Sequence, residues 1–317
     1  MSGHVGPAVP TSALPVERVT AVTEQRNPRT VNIDTMATRD ILRVINEEDQ
    51  RVAVAVEAVL DQVAVVVDAA VAALRAGGRV HYFGSGTSGR LGFLDAAELP
   101  PTYNAPPDWF QPHQSGGTEA LWRTVEAAED DEVAGAVEAR ESVHPGDVVL
   151  GLSASGRTPY VLGALRAARE IGARTVLVTA NPEATAAGEV DVFIGVDTGP
   201  EVIAGSTRMK AATAQKLILN AFSTAVMIRL GRVYSNLMVS VVASNAKLRG
   251  RMLAILMEAT GRDETECRKA LQDAGGEVRT ALVTLLTGAS VAQARQALTD
   301  SDDQVRTAVA LLTATPQ

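Results

Sequence analysis

Val80-His81-Tyr82-Phe83-Gly84-Ser85-Gly86-Thr87-Ser88-Gly89-Arg90 is the stretch that decides the fold. A short apolar run, Val80 to Phe83, meets a glycine and hydroxyl turn and then opens an amphipathic pattern that predicts a helix over 87–98. The same order recurs downstream. Val148 to Leu152, Thr175 to Thr179 and Val192 to Val196 are further strand candidates, with helices predicted over 117–141 and 159–171. Strands alternating with helices predict an α/β fold, a doubly wound and mostly parallel sheet covered on both faces. Ligands bind such sheets at the carboxyl ends of the strands.

Upstream, residues 37–76 carry apolar side chains at helical spacing, with Val56, Val59, Leu60, Val63, Val67, Ala70 and Leu74 on one stripe, until Gly77-Gly78 stops the helix. Downstream, a long helix over 206–231 leads into a stretch that reads as helical to the end. Here Ala270-Leu271 and Val278-Arg279-Thr280-Ala281 recur as Ala297-Leu298 and Val305-Arg306-Thr307-Ala308, two copies and too few for a free-standing solenoid. The 317 residues are expected to divide into a disordered tail (1–20), an N-terminal helical segment (21–70), an α/β unit (71–235) and a small helical C-terminal region (236–317).

Hydrophobic residues make up 46% and charged residues 21%, enough apolar surface for a core and too little charge for global disorder. The net charge of −8 argues against a nucleic-acid or anionic-membrane surface, so an anionic ligand requires a local basic pocket. A single cysteine, Cys267, excludes an internal disulfide and a thiolate cluster and fits a reducing compartment. Met1 to Pro15 do not read as a signal peptide, and polar residues interrupt Val52–Leu74 and Leu217–Leu230, so neither reads as a membrane span. A cytoplasmic protein is expected.

The first turn matches G-x-G-x-x-G, but a dinucleotide fold also needs an acidic residue ending the next strand, and Asp108 follows Pro106-Pro107 in an unsuitable context. The second turn is Ser153-Ala154-Ser155-Gly156-Arg157-Thr158, with Pro159 at a first helical position. A strand-to-helix turn offers backbone N–H groups and the positive helix end to an anion, and Ser153, Ser155 and Thr158 add hydroxyl donors. Ordinary N-capping explains a single serine. Two such turns, each with an arginine (Arg90, Arg157), point to a phosphorylated small molecule. A third segment, Gly199 to Lys210, places Glu201, Ser206 and two cations before the long helix, either as a capped loop with solvated charges or as a wall of the same pocket.

Among the carboxylates, Glu98 stands out among Ala96, Ala97, Leu99, Pro100 and Pro101, an apolar setting that would favour its protonated form; water exposure at a helix end is the plainer alternative. Glu129 sits in an acidic stretch that otherwise reads as a charged helix surface. The four histidines share no ligand spacing with one another or with Cys267, so no metal site is expected, and no histidine–acid pair supports a nucleophilic serine.

These residues fall into longer motifs. Thr23-Glu24-Gln25-Arg26-Asn27-Pro28 with Asn32-Ile33-Asp34, the run from Gly84 to Leu94 with Asp95-Ala96-Ala97-Glu98 and Pro100-Pro101-Thr102, Ala128-Glu129-Asp130-Asp131, Ala154 to Val161, and Gly199 to Lys210 with Thr213-Ala214-Gln215-Lys216 occur in that order. From about residue 22 onward the chain resembles the N-acetylmuramic acid 6-phosphate etherases of the sugar isomerase (SIS) domain superfamily. The resemblance implies a five-stranded parallel sheet, a homodimer with its active site near the subunit interface, and no cofactor. It implies cleavage of the ether joining D-lactate to C3 of N-acetylmuramic acid 6-phosphate, in recovery of cell-wall sugar. Glu98 then matches the proton donor and Glu129 the second catalytic carboxylate. Ser153, Ser155 and Thr158 are assigned to the 6-phosphate, and Ser85, Thr87 and Ser88 to the sugar side. Leu99, Tyr103 and Ala212 depart from the usual cysteine, phenylalanine and glycine. Another SIS isomerase or deaminase, or a non-catalytic hexose-phosphate sensor, are the competing readings.

Overall fold

The computed structural model describes residues 21–125, 127–240 and 246–314; the expected tail over 1–20 lies outside them. Its centre is a five-stranded, all-parallel sheet of order β2-β1-β3-β4-β5, with β1 Val80–Gly84, β2 Phe110–Gln114, β3 Val148–Leu152, β4 Arg174–Thr179 and β5 Val192–Gly195. Alternate side chains divide between two buried faces. Val80, Tyr82, Val148, Leu150 and Leu152 pack with the helices α1 Thr38–Glu57, α2 Leu60–Arg75, α3 Gly86–Tyr103 and α6 Lys210–Arg229. Phe83, Val149 and Leu177 face α4 Glu132–Ser142 and α5 Pro159–Ile171. The doubly wound sheet expected from the sequence is present.

Four strands and α5 fall where the sequence puts them, and β2 is the strand that it hides. Pro112 lies inside β2 opposite Tyr82, which an edge strand tolerates because one side of its ladder needs no N–H donor. The helix expected over 37–76 is two helices, α1 and α2, separated at Ala58-Val59, and Leu60 leaves the apolar stripe to stand 46% exposed. The helix expected over 117–141 is largely absent. Two short 3-10 turns, Thr118–Leu121 and Ala128–Asp130, precede α4. Gly116, Gly117 and Ala127 have φ of 79°, 70° and 60°, incompatible with a continuous right-handed helix. The helix over 206–231 shortens to α6, and α3 extends beyond 98 to Tyr103. Ala212 lies inside α6 without a positive φ, so the departure from glycine there strains nothing.

The C-terminal region is not purely helical. A two-stranded hairpin, β6 Val233–Tyr234 with β7 Leu237–Met238, precedes α7 Ala246–Thr260, α8 Glu264–Asp273, α9 Val278–Thr287, α10 Val291–Asp300 and α11 Val305–Thr313. The sequence repeat corresponds to the pairs α8–α9 and α10–α11. They close a separate core in which Cys267, Ala281, Leu282, Ala294 and Ala308 are buried. No helix among the described residues is long and apolar enough to cross a membrane.

Candidate active site

Strand order places the site. From β1 the chain winds to β2 on one side and later to β3, β4 and β5 on the other, so the gap between β1 and β3 is the topological switch point. Gly84 pairs with Gln114 on one side and Leu152 on the other. Ser115, Ser85 and Ser153, the next residues, therefore leave three adjacent strands at one level. Ser115 Oγ donates to Ser85 Oγ at 2.7 Å. The two serine turns lie side by side by topology, although 68 residues separate Ser85 from Ser153 in the chain (153 − 85).

The first turn is tight because β1 and α3 almost touch. A Cβ on Gly84 would lie 2.5 Å from the Gly89 nitrogen, and one on Gly89 would lie 2.7 Å from the Gly84 oxygen and 2.1 Å from Gln114 Oε1. Ser85 is the N-cap residue of α3 and lines a cavity of about 190 Å³. Thr87 and Ser88 occupy the first turn of α3, with Ser88 buried, and neither borders that cavity.

The second turn closes on itself. Ser153 Oγ accepts from the N–H groups of Gly156 (3.0 Å) and Thr158 (3.4 Å) and lies 2.8 Å from Thr158 Oγ1. Ser155 Oγ accepts from the Arg157 N–H at 3.2 Å. From the end of β4, Thr179 Oγ1 donates to the Ala154 carbonyl at 3.0 Å and Asn181 Nδ2 to the Ser155 carbonyl at 3.0 Å. Gly156, at φ 70°, permits the approach, since a Cβ there would lie 2.6 Å from that of Ala184. The turn is thus a preformed cluster of hydroxyls at the N-terminus of α5.

Glu129 reaches the first turn. It lies on the 3-10 turn Ala128–Asp130, exposed, and borders the same cavity as Ser85, Arg90, Gln114, Ser115 and Arg123. Gly116 packs against Val125 and Ala128, and Asp131 caps α4 by accepting the Ala134 N–H at 2.8 Å, fixing the chain on both sides of Glu129. Gln114 Oε1 is buried and has no hydrogen-bond partner among the described residues.

Glu98 is elsewhere. Helical phase turns Asp95 and Leu99 into the core and Glu98 outward, exposed, so the expected apolar setting is absent within one chain. At about 1.5 Å per residue it stands roughly 18 Å along α3 from Gly86, and it does not line the cavity. The buried carboxylate of that motif is Asp95, which accepts from Tyr82 Oη, Asn220 Nδ2 and Ser223 Oγ at 2.9, 2.9 and 3.0 Å. Burial pushes its carboxyl above the usual range against the opposing pull of those three bonds.

The third segment is not brought to this cavity. It follows β5, two strands beyond β3. Glu201 is fully buried and caps α6, accepting the Lys210 and Ala211 N–H groups at 2.9 and 3.0 Å; burial raises its carboxyl despite these bonds. Lys210 is not solvated either. Its Nζ lies 2.8 Å from Glu48 Oε2 and 3.0 Å from the Pro200 carbonyl, while Asn27 Nδ2 also donates to Glu48 at 2.9 Å. Burial pushes the Glu48 carboxyl up, and the bonds from Lys210 and Asn27 overcome it and hold the group below its ordinary value. Ser206, half-buried, lies in the same loop. These groups join the N-terminal segment to the fold.

Behind the sheet is a network that histidine spacing concealed. His81 Nε2 lies 3.2 Å from Asp147 Oδ2, and His81 Nδ1 is 3.0 Å from His113 Nε2. His113 Nδ1 is 2.9 Å from Glu138 Oε1, and Tyr160 Oη donates to Glu138 at 2.6 Å. Among the described residues no group of three His, Cys, Asp or Glu side chains is placed to hold a metal ion. A larger cavity, about 470 Å³, lies between the end of α3 and the C-terminal helices. Its arginines Arg279 and Arg295 are paired with Asp303 and Glu277, and it is remote from the strand ends.

Serine turns at the switch point of a 2-1-3-4-5 parallel sheet define a sugar isomerase type of domain. Sequence comparison agrees: the SIS domain profile matches residues 130–225, and the glucokinase regulatory protein N-terminal SIS domain profile matches residues 62–169. N-acetylmuramic acid 6-phosphate etherase of Thermobifida fusca is 61% identical over 272 residues, 86% of this chain and 89% of that one. The etherase of Symbiobacterium thermophilum is 55% identical, covering 84% and 88%. Among solved structures, a phosphoheptose isomerase from Francisella tularensis aligns with a TM-score of 0.48 and 17% identity over 61% of this chain and 100% of that one. The chain belongs to the N-acetylmuramic acid 6-phosphate etherase family.

Proposed function

We propose that this protein cleaves the D-lactyl ether of N-acetylmuramic acid 6-phosphate, giving N-acetylglucosamine 6-phosphate and D-lactate in the recovery of cell-wall amino sugar. It is a carbon–oxygen lyase. The observation that carries the reading is Glu129 on the lip of a serine-lined cavity at the switch point, in a chain 61% identical to an etherase.

With the sugar ring open, the C2 proton lies alpha to an aldehyde. A carboxylate removes it, the electron pair forms the C2–C3 double bond as C3–O breaks, and lactate leaves with a proton from an acid. Water then adds hydroxyl at C3 and hydrogen at C2, so the sum is addition of one water. Glu129 is assigned one of the two carboxylate roles. The preformed turn of Ser153, Ser155 and Thr158 takes the 6-phosphate, with Arg157 at its tip, and Ser85 faces the sugar.

Glu98 serves as the other carboxylate only if delivered by a second copy, because α3 carries it away from its own cavity. The working unit is therefore assigned as a cytoplasmic homodimer in which residues 71–235 of each chain form the catalytic part. Incubation with N-acetylmuramic acid 6-phosphate in D₂O tests the reading. Release of D-lactate with deuterium at C2 of the product sugar is expected, and absence of D-lactate would overturn the reading. The match of residues 62–169 to a regulatory protein's SIS domain supports a second reading, a sugar-phosphate sensor, which binding without lactate release would favour.

A further inference from the structure

Arg90 stands in the second turn of α3 and reaches into the loop that carries Glu129. Its Nε donates to the Leu121 carbonyl at 2.8 Å, and its Nη2 donates to the carbonyls of Ala120 (2.7 Å) and Arg123 (3.3 Å). No carboxylate pairs with it among the described residues, so its charge at the cavity wall is met by carbonyl dipoles alone. Its Nη1 has no hydrogen-bonding partner among those residues. Of the other charged groups bordering the cavity, Arg123 is tied to Glu119 at 3.4 Å, and Glu129 is the reacting carboxylate of the reading above.

The substrate class proposed above is anionic at two places, the phosphate on C6 and the lactyl carboxylate on C3. Parallel strands stand about 4.8 Å apart. A sugar that runs from a phosphate beyond β3 across β1 brings C3 and its substituent to the wall that Arg90 forms. We infer that Arg90 is the specificity-determining residue that recognises the lactyl carboxylate, with its unoccupied Nη1 edge donating charge-assisted hydrogen bonds to it. The main-chain clamp holds the guanidinium in place for that contact. The inference rests on the etherase reading and adds to it the group that tells the lactyl ether from a plain amino-sugar phosphate.

The test compares N-acetylmuramic acid 6-phosphate with its lactyl amide, which keeps the ether and removes the charge. Ether cleavage of each is measured as kcat/KM for the unaltered protein, Arg90→Gln and Arg90→Lys. The unaltered protein prefers the acid. Arg90→Gln loses on the order of 50-fold more on the acid than on the amide, the loss common to both reporting the loop clamp, so the preference collapses. Arg90→Lys, which retains a charge but not the fork, keeps part of it. Equal losses on acid and amide would make Arg90 a loop clamp only and overturn the inference. So would a loss that disappears when the 6-phosphate is removed and persists on the amide, because Arg90 would then be reading the phosphate. Absence of cleavage of the acid by the unaltered protein would overturn the etherase reading itself, an outcome distinct from either of these.

Discussion

The turns after β1 and β3 have nearly the same composition, yet they are held in opposite ways. Ser153, Ser155 and Thr158 bond to one another and to their own backbone, and Thr179 and Asn181 hold the loop from behind. The Ser85 side chain instead faces an open cavity and bonds to the Ser115 hydroxyl, while its backbone is held by the first turn of α3. A turn whose dipoles are already fixed can bind an anion with little reorganisation. The other turn, bordered by a loop built from short 3-10 segments, leaves room for a reacting carbon and for Glu129. On the proposed reading, gripping and chemistry are divided between two strand ends.

The largest effect that would sharpen this division falls on the reactive side. Glu129→Gln should lower kcat for D-lactate release by roughly 10²- to 10⁴-fold while leaving the affinity for the phosphorylated sugar near its original value, as judged by calorimetry with a non-reacting analogue. Turnover close to normal in that variant would remove Glu129 from the chemistry. Glu98→Gln should be as damaging alone. Mixing it with Glu129→Gln under conditions that exchange subunits should restore about a quarter of the activity, since half of the dimers then carry one intact site. No recovery would mean that Glu98 acts within its own chain or not at all.

The gripping side should respond more mildly. Ser155→Ala is expected to weaken binding of the phosphorylated sugar by roughly 1–3 kcal/mol and to leave that of the unphosphorylated sugar unchanged. Equal weakening for both would move the phosphate off this turn. Gly89→Ala forces a methyl group onto the Gly84 oxygen and the Gln114 side chain, and a stability loss of about 1–3 kcal/mol should appear in denaturant unfolding.

A separate effect concerns the histidine pair near the start of the strands, away from both turns. Burial, then the neighbouring His113, lower the His81 imidazole from its ordinary value to about 4. Between pH 6.5 and 4 the unfolded chain takes up a proton that the folded chain refuses, so this part of the stability is complete above pH 6.5 and declines as pH falls to about 4. Thermal unfolding across that range should show a drop that His81→Gln flattens. A parallel pH dependence in the two proteins would contradict the assignment.

Much of this fold is legible because its signals are local. Val148–Leu152 and Pro159–Ile171 are bounded by their own turn residues and appear where the pattern puts them. What the sequence hides depends on partners far along the chain. Pro112 disguises an edge strand, and the carbonyls of residues 120, 121 and 123 go to Arg90 instead of to a helix. Glu201 is legible as a carboxylate before a helix, but its burial as a cap depends on Lys210 and Ala211, and the Lys210–Glu48 pair spans 162 residues. The site divides similarly. Both serine turns, Arg90 and Glu129 can be read from motifs, whereas the bonds of Arg90 to the loop and the placing of Gln114 and Ser115 beside Gly84 and Ser85 follow only from the folded chain. The outward direction of Glu98 follows from the phase of α3, set by Asp95 and Leu99.

A crystal structure of Glu129→Gln with N-acetylmuramic acid 6-phosphate bound tests the division of labour most directly. The phosphate should lie within hydrogen-bonding distance of Ser153, Ser155 or Thr158, with the C2–C3 bond beside residue 129. A phosphate seated over residues 199–209, or a residue 129 turned away from the sugar, would contradict the account.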